Sequence, residues 1–383
     1  LLLVTITYSL KRTKNKLVRF CYYLNILIFI LILLDAGVLL QKLALNRSPI
    51  DPKTLSTANW KTTLRPDVYF LVFDEYTSTS ALKEEWNYEN SELDSFLLNK
   101  GFRLLSNSRS NYNFTEFSMA STLNMNYLSI PNPSACTVKD YNKCYEQIRD
   151  NKVCATFASL GYQIVNYSIF DLQKNPSLVK EDFLPLRTRL ITSQTLLSRI
   201  EKDLGHLVLV GKYQINLLSQ NLIYRTYHNN QKIISAVLND SNYHSNVPKF
   251  LYSHIEMPHP PFYLNRMGRE KTKEEIIKNN GVSSYLEYIP PTNEVIKKIV
   301  NTIFQRTNRP FVIVLMGDHG FRLQQERRFH FRNLNSVYLS SKNYKGFYDS
   351  ISNVNEFRVL MNNIFDASLP LQKDSSIFLL DKN

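Results

Sequence analysis

The 383-residue chain has few residues of the types that define several protein classes. Its 10 glycines and 15 prolines are too few for a collagen-like or low-complexity chain. Its 4 cysteines are too few for a disulfide scaffold at this length. The mean hydropathy of −0.25 argues against a polytopic membrane protein for most of the chain. With 44% hydrophobic and 21% charged residues, the composition is that of a globular protein.

Positive charge is in excess, at a net +13, but its distribution does not indicate a nucleic-acid-binding protein. Five basic residues and no acidic ones lie within residues 1–19, and the remaining excess is spread over the rest of the chain. The sequence has no basic–aromatic repeat, zinc-finger spacing, helix-turn-helix pattern or internal repeat. We therefore expect no nucleic-acid partner and a surface that favours an anionic membrane or substrate.

One long apolar run, at residues 20–40, predicts a transmembrane helix. Only Asn25 and Asp35 are strongly polar within it, and about twenty apolar residues suffice for one helical crossing of a bilayer. The preceding basic cluster at 11–19 places the N-terminal side in the cytoplasm by the positive-inside rule. An uncleaved signal peptide is the alternative, although no small-residue cleavage site follows the run.

The chain is accordingly predicted to have four segments. Residues 1–19 form a cytoplasmic basic segment, which can also be the end of an earlier span, and residues 20–40 form the transmembrane helix. Residues 41–64 are a linker and residues 65–383 an extracytoplasmic domain. The lipid bilayer is thus an expected partner, and the cell membrane the expected location.

Short apolar runs alternate with amphipathic segments after residue 65. Strands are predicted at 67–74, 162–167, 250–257, 310–316 and 335–339, and helices at 91–102, 147–160, 186–209, 223–238, 293–304 and 357–365. This alternation is typical of an α/β protein with a mostly parallel central sheet and helices on both faces. Active sites in such sheets lie at the carboxyl ends of the strands.

Polar side chains that can hold a metal ion follow three of these predicted strands. They are Asp74 with Glu75, then His254 with His259, then Asp318 with His319. Carboxylate and imidazole groups from different strands can together bind a cation such as zinc or manganese. A single Asp-His pair is weak evidence, so the prediction depends on the whole set. Glu75 can also face away from the site.

Hydroxyl groups are concentrated in residues 108–128, close to a predicted helix start. A hydroxyl of Thr115 at that start would lie in the positive end of the helix dipole, beside free backbone N–H groups. That environment suits an alkoxide and the anion that it attacks. Two interpretations remain open: Thr115 is a nucleophile, or it is the helix N-cap with Ser118 as a turn residue.

The order of these motifs resembles the sulfatase-like branch of the alkaline phosphatase superfamily. It is most similar to membrane-anchored members such as lipoteichoic-acid synthase and the phosphoethanolamine transferases. The resemblance covers about residues 65–345. It rests on DVYFLVFDEYTS at 67–78, NSELDSFLLNKGF at 90–102, SNYNFTEFSMASTLNMNYL at 110–128, HIEMPHPPF at 254–262, and MGDHG followed by LNSVYL within 316–339.

The resemblance implies a role for each motif residue. Asp74, Thr115, Asp318 and His319 would bind one divalent cation, zinc or manganese, with magnesium and calcium as alternatives. Thr115 would also be the nucleophile. His254 and His259 would contact the substrate anion or protonate the leaving group. The substrate would be an anionic phospholipid or glycan of the cell envelope.

The sequence departs from true sulfatases in one respect. It lacks the C/S-x-P-x-R motif whose first residue is oxidised to formylglycine. A threonine nucleophile suits a membrane-anchored, metal-dependent phospho-group transferase or phosphodiesterase better than a sulfate-ester hydrolase. The alternatives are a sulfatase-like hydrolase of another ester and a catalytically inactive binding or assembly module of the same fold.

Two further predictions concern residues outside the main motifs. His330 and Arg328 lie in a basic segment after the GDHG motif, which either binds a phosphate or lipid headgroup or is a solvated loop. Cys136 and Cys144 lie near each other in a polar segment. Outside the cytoplasm they would form a disulfide, with Cys154 as a buried free thiol.

Overall fold

The structure is a computed structural model that describes residues 14–45, 55–57, 60–61, 65–179, 224–278, 281–323 and 326–381. The predicted helix at 186–209 lies outside these residues. The chain divides into two compact units, Leu1–Asp51 and Pro52–Asn383.

The described part of the first unit is one helix, α1 (Lys14–Leu45), of 32 residues. Its residues from Ile26 to Leu34 are all apolar, and all of them are exposed. Within the described part of the chain, no helix combines the length and the apolar character required to cross a bilayer. The span predicted at residues 20–40 stays a prediction.

A six-stranded sheet forms the centre of the second unit. Its strands are β1 (Asp67–Phe73), β2 (Arg103–Leu104), β3 (Gln163–Tyr167), β4 (Lys249–Ile255), β5 (Phe311–Gly317) and β6 (Asn335–Leu339). Their spatial order is β2-β6-β5-β1-β4-β3. The four adjacent strands β5, β1, β4 and β3 pair in parallel, whereas β6 pairs antiparallel with both of its neighbours, β5 and β2. The predicted α/β class is confirmed.

The sheet is mixed, because β6 runs antiparallel beside four parallel strands, and the reason is the connection that follows β5. A parallel neighbour requires a crossover that returns the chain to the starting edge, usually through a helix. Between β5 and β6 the described residues contain only the short 3₁₀ helix Arg327–Phe331. The chain therefore turns back, and β6 runs against β5 with Met316 opposite Asn335.

Helices cover both faces of the sheet. They are α2 (Thr79–Trp86), α3 (Ser91–Asn99), α4 (Thr115–Asn124), α5 (Val138–Arg149), α6 (Lys152–Ser159), α7 (Arg225–Leu238), α8 (Lys273–Lys278), α9 (Val282–Arg306) and α10 (Asn353–Phe365). Successive side chains of β1 enter opposite cores, as strand geometry requires. Phe70 and Val72 pack with residues of α4, α5, α6 and α10, whereas Leu71 and Phe73 pack with residues of α2, α3, α7, α8 and α9.

Two helices differ most from their predicted bounds. The segment predicted at 147–160 breaks, and Asn151 caps α6 by accepting a hydrogen bond from Cys154 N, a role that asparagine favours. α9 begins at Val282 and continues through Pro290 and Pro291, although proline lacks the N–H that an interior helical position uses. Buried side chains on both sides of the proline pair, including Ile289, hold that helix against the sheet.

The structure contradicts the predicted disulfide between Cys136 and Cys144, because both are free thiols, as is Cys154. The Cys136 thiol donates to the Pro133 carbonyl at 3.8 Å. Cys144 lies two turns into α5 and packs in the same core as Cys136. Burial raises the pKa of both thiols, to about 12 for Cys144, so both remain protonated. The core buries these thiols as small apolar groups.

Candidate active site

The functional side chains meet at the carboxyl edge of the parallel strands. Phe73, the last residue of β1, lies beside Ile255 of β4 and Gly317 of β5. This register brings Asp74, which follows β1, next to the end of β4 and to the residues that follow β5. Parallel pairing thereby assembles groups that are far apart in sequence.

A compact group of possible metal ligands lies at this edge. Asp74, Asp318 and His319 each offer one ligand atom, and these atoms lie within 4.8 Å of one another. Nε2 of His319 is 3.3 Å from Oδ2 of Asp318 and 3.8 Å from Oδ1 of Asp74. All three residues are at most 2% exposed. Two carboxylates and an imidazole form a donor set that suits zinc or manganese.

The two carboxyl oxygens of Asp318 have different surroundings. Oδ1 accepts hydrogen bonds from the backbone N–H groups of Glu75 and His319, each at 2.9 Å. Oδ2 is buried and has no hydrogen-bond partner among the described residues. A buried carboxylate oxygen without a partner is destabilising. A cation at this position would satisfy it, so the residues present fit a divalent metal ion.

The pKa values of the two carboxyl groups are shifted in opposite directions. Burial and the nearby Asp74 carboxylate raise the pKa of Asp318. Burial also acts to raise the pKa of Asp74, but His259, His254 and His319 outweigh it and hold this pKa well below the usual range. Two buried carboxylates this close repel each other, which further favours a cation between them.

Thr115 is the first residue of α4, and its hydroxyl faces this group. The oxygen lies 3.1 Å from Nε2 of His319 and 3.4 Å from Oδ1 of Asp74. The N-cap position is Phe114, so Thr115 is not the cap that the alternative interpretation required. Ser118 is not a free hydroxyl, because it donates to the Asp318 carbonyl at 2.6 Å.

The two predicted pocket histidines occupy different positions. His254 is fully buried, with Nδ1 3.0 Å from the Tyr252 hydroxyl and Nε2 3.6 Å from Oδ2 of Asp74. His259 is partly exposed, and its Nε2 lies 3.0 Å from Nη2 of Arg322. Burial lowers the pKa of each histidine, but Asp74 outweighs this and raises both above the ordinary value.

Sequence reasoning missed Arg322 and left Glu75 undecided. Oε1 of Glu75 accepts from the backbone N and the Nε of Arg322, at 2.9 and 3.0 Å. Glu75 itself has a positive φ of 63° and is 2% exposed. The signal in the sequence was an arginine four positions after Asp318, but only the loop conformation directs it toward His259.

The basic segment after the GDHG motif has one exposed and one buried member of the predicted pair. Arg328 forms ion pairs with Glu84 and Glu326 at the surface, and none of its recorded contacts is with the groups described above. His330 is buried against Phe378, and its carbonyl accepts from Gly320 N at 2.9 Å.

The close approach of residues 329–330 to this turn explains why position 320, the second glycine of the GDHG motif, is a glycine. A Cβ on Gly320 would lie 2.1 Å from the Phe329 carbonyl oxygen, so no larger residue fits there without moving backbone. His330 therefore supports the turn that follows His319.

The comparisons with known proteins agree with the resemblance found in the sequence. A family model described as Sulfatase matches residues 191–357, which include His254, His259, Asp318 and His319. Residues 191–357 are thus similar to the sulfatase family, which is consistent with the resemblance to the sulfatase-like branch of the alkaline phosphatase superfamily and with a hydrolase or transferase of that kind. No curated protein matches the chain in sequence.

Three solved structures are similar to the chain at low identity. The C-terminal periplasmic domain of EcEptC from Escherichia coli, in complex with Zn, is 12% identical with a TM-score of 0.49, over 84% of this chain and 92% of that one. The lipooligosaccharide phosphoethanolamine transferase EptA of Neisseria meningitidis is 16% identical with a TM-score of 0.47, over 89% and 63%. The phosphonate monoester hydrolase of Agrobacterium radiobacter is 13% identical with a TM-score of 0.45, over 78% and 74%. We draw no conclusion about activity from these likenesses.

Proposed function

We propose that the chain is a metal-dependent phospho-group transferase or phosphodiesterase that acts through Thr115. The observation that carries this proposal is the position of the Thr115 hydroxyl, 3.1 Å from Nε2 of His319 at the edge of the Asp74–Asp318–His319 group. A hydroxyl that only capped a helix would have its hydrogen bonds with backbone N–H groups of α4. This one contacts two possible metal ligands.

Three kinds of group in the chain would take part in the reaction: a nucleophile, donors to the phosphoryl oxygens, and a residue that protonates the leaving group. Thr115 Oγ1 would lose its proton to water and attack phosphorus, forming a phospho-threonine while the bond to the leaving alcohol breaks. The first backbone N–H groups of α4 would stabilise the charge on the phosphoryl oxygens. His259 Nε2 accepts an N–H of Arg322 in the free protein. When the substrate takes over that N–H, Nε2 would bind a proton from solvent, since the nearby carboxylates raise the pKa of His259, and would give this proton to the leaving oxygen. Water or an acceptor hydroxyl would then break the threonine–phosphorus bond.

A divalent cation held by Asp74, Asp318 and His319 together with Thr115 would lower the pKa of the threonine hydroxyl and neutralise charge on the phosphate. Oδ1 of Asp318 is already fixed by two backbone N–H groups, which leaves Oδ2 for the cation. His254 lies behind Asp74 and would orient it, since their nearest atoms are 3.6 Å apart.

We further propose that the domain is held at a membrane and faces outward. The run at 20–40 and the basic residues at 11–19 support this, and the apolar side chains of α1 between Ile26 and Leu34 are exposed. The substrate would then be an anionic phospholipid or glycan of the envelope. The lipid bilayer would be both the anchor and the source of the substrate.

A sulfatase-like hydrolase of another ester is the second candidate, because the matched family is named for sulfatases. The threonine at position 115 cannot be oxidised to formylglycine, which argues against a sulfatase-like hydrolase. The chain has Asp74, Asp318, His319 and the Thr115 hydroxyl together in the site, which argues against a catalytically inactive binding module.

Metal analysis and a panel of esters test the proposal. The full-length chain, purified in detergent, should hold about one divalent cation per chain. It should cleave p-nitrophenyl phosphodiesters at least ten times faster than p-nitrophenyl sulfate, and chelation should abolish the reaction. A higher rate with the sulfate ester would favour the second candidate. No turnover of any ester by the metal-loaded protein would favour the inactive module.

A further inference from the structure

Arg322 lies beside the proposed site but has no part in the cluster of metal ligands. It follows Asp318 by four residues on the same loop. Its side chain is 27% exposed, so it is largely buried while remaining open to a ligand. A buried arginine requires a structural or functional partner for its charge.

Glu75 holds the guanidinium in a fixed orientation. One carboxylate oxygen, Oε1, accepts both the backbone N–H and the Nε–H of Arg322. Glu75 N in turn donates to Oδ1 of Asp318 at 2.9 Å. Glu75 therefore connects Arg322 to Asp318, a proposed metal ligand. This constrains the distance between the guanidinium and the Asp318 carboxylate.

His259 and Phe114 lie against the rest of the guanidinium. Nη2 of Arg322 is 3.0 Å from Nε2 of His259, and its Cζ lies 5.6 Å from the centre of the Phe114 ring. Phe114 directly precedes Thr115. The guanidinium is thus placed between the residue proposed to protonate the leaving group and the residue next to the nucleophile.

Arg322 still has unused donors. A guanidinium carries five N–H groups, and the contacts above use the Nε–H and one Nη2–H. Among the residues that the structure describes, Nη1 has no hydrogen-bond partner. Two Nη1–H groups and one Nη2–H group therefore remain, and such a fork matches two oxygens of a phosphate.

Resting on the proposed function, we propose that Arg322 binds the non-bridging oxygens of the substrate's phosphoryl group, with Glu75 as its positioning residue. The arginine then fixes the phosphorus in front of Thr115. It also determines specificity, because it selects a tetrahedral anion over a neutral ester.

The test compares three variants of the full-length, metal-loaded protein in detergent. Arg322→Ala should raise the KM for methyl p-nitrophenyl phosphate, and the Kd of inorganic phosphate measured by calorimetry, by about 10- to 100-fold. Arg322→Lys keeps the charge but not the fork, and should recover at most part of that loss. Arg269→Ala is the matched control, since that arginine pairs with Glu275 at the surface, and it should change neither value.

Rescue by free guanidinium ion separates binding from a structural role. Added guanidinium should restore phosphate affinity to Arg322→Ala and should not affect Arg269→Ala. Metal content and the melting temperature should be unchanged in Arg322→Lys, which remains informative if Arg322→Ala does not fold. Phosphate affinity within twofold of the parent protein in Arg322→Ala, or in Arg322→Lys should the alanine variant not fold, would overturn the proposal. The phosphate measurement does not require Thr115 chemistry, so it can support Arg322 even where the proposed reaction fails.

Discussion

The hydroxyl oxygen of Thr115 lies 3.1 Å from Nε2 of His319, although 204 positions separate the two residues in the sequence. The start of α4 supplies one and the end of β5 the other. Both residues are buried, at 8% and 0% exposure. A threonine hydroxyl held against an aspartate–histidine group in this way has the surroundings of an activated nucleophile.

Replacing Asp318 by asparagine should remove metal binding while preserving the fold. The asparagine Oδ1 can still accept the N–H groups of Glu75 and His319, whereas an amide replaces the unpartnered Oδ2. We expect metal affinity to fall by at least about 100-fold, since the anionic ligand is lost. Calorimetry with zinc and manganese, and the rise in melting temperature that each metal produces, provide the measurement. Asp366→Asn, at an exposed ion pair with Lys61, is the control. Unchanged metal affinity in Asp318→Asn would place the metal elsewhere.

Removing the Ser118 hydroxyl should affect stability more than chemistry. Ser118 Oγ donates to the Asp318 carbonyl at 2.6 Å and is fully buried. Ser118→Ala should lower the free energy of unfolding by about 0.5–1.5 kcal/mol, because the carbonyl loses one buried hydrogen bond and keeps the one from Asn353. Covalent labelling of the enzyme by substrate should persist. Urea denaturation measures the first effect and mass spectrometry the second. Loss of labelling together with normal stability would make Ser118 the nucleophile instead.

Glu356 should make the stability of the protein depend on pH near neutrality. Burial raises its pKa from 4.5 to about 7, although a hydrogen bond from Asn335 acts to lower it. The folded state therefore holds the proton more tightly than the unfolded state. Its contribution to stability is complete below about pH 4.5 and falls as the pH rises to about 7, by about 3 kcal/mol in all.

Glu356→Gln removes this titration while keeping an acceptor for Asn335. Urea unfolding at pH 5 and pH 8 should show a smaller difference in the variant than in the parent protein. Glu84→Gln, which changes an exposed glutamate, is the control. An identical pH dependence in Glu356→Gln and the parent protein would show that Glu356 is not the group responsible.

Membrane topology can be tested by a reporter fused after residue 64. The basic residues at 11–19 and the apolar run at 20–40 predict that this position lies outside the cytoplasm. An alkaline phosphatase fusion should be active there, and a green fluorescent protein fusion should be dark when exported by the general secretion route. Exchanging the basic residues at 11–19 for acidic ones should reduce the alkaline phosphatase signal. A fluorescent green fluorescent protein fusion together with an inactive alkaline phosphatase fusion would show that the position after residue 64 lies in the cytoplasm.

Local sequence patterns were enough to predict the positions of Asp74 and Asp318. The position of Arg322 depends on tertiary contacts, which local patterns do not reveal. Asp74 and Asp318 follow continuous apolar strands, and such positions lie at one edge of a parallel sheet whatever the loops do. The helix start near Thr115 was predicted from its composition, whereas the role of Thr115 came only from the resemblance to the sulfatase-like family. Arg322 was missed because its direction depends on a loop conformation that Glu75 determines, through contacts 247 positions apart.

The same distinction explains the differences in the fold. Pro290 and Pro291 are local signals against a helix, and buried contacts of α9 on both sides outweigh them. The direction of β6 depends on how the chain returns after β5, which its own five residues do not encode. The thiols of Cys136 and Cys144 were paired from spacing in the sequence, whereas core packing buries each as a free thiol.

Mapping the covalent intermediate tests the central claim most directly. The full-length protein is mixed with methyl p-nitrophenyl phosphate in the presence of metal, quenched in acid within the first turnover, digested and analysed by mass spectrometry. The account predicts one methylphosphoryl group on the peptide that contains Thr115, absent from Thr115→Ala and restored in Thr115→Ser. Substrate turnover by Thr115→Ala at the rate of the parent protein, or an adduct on any other residue, would contradict it.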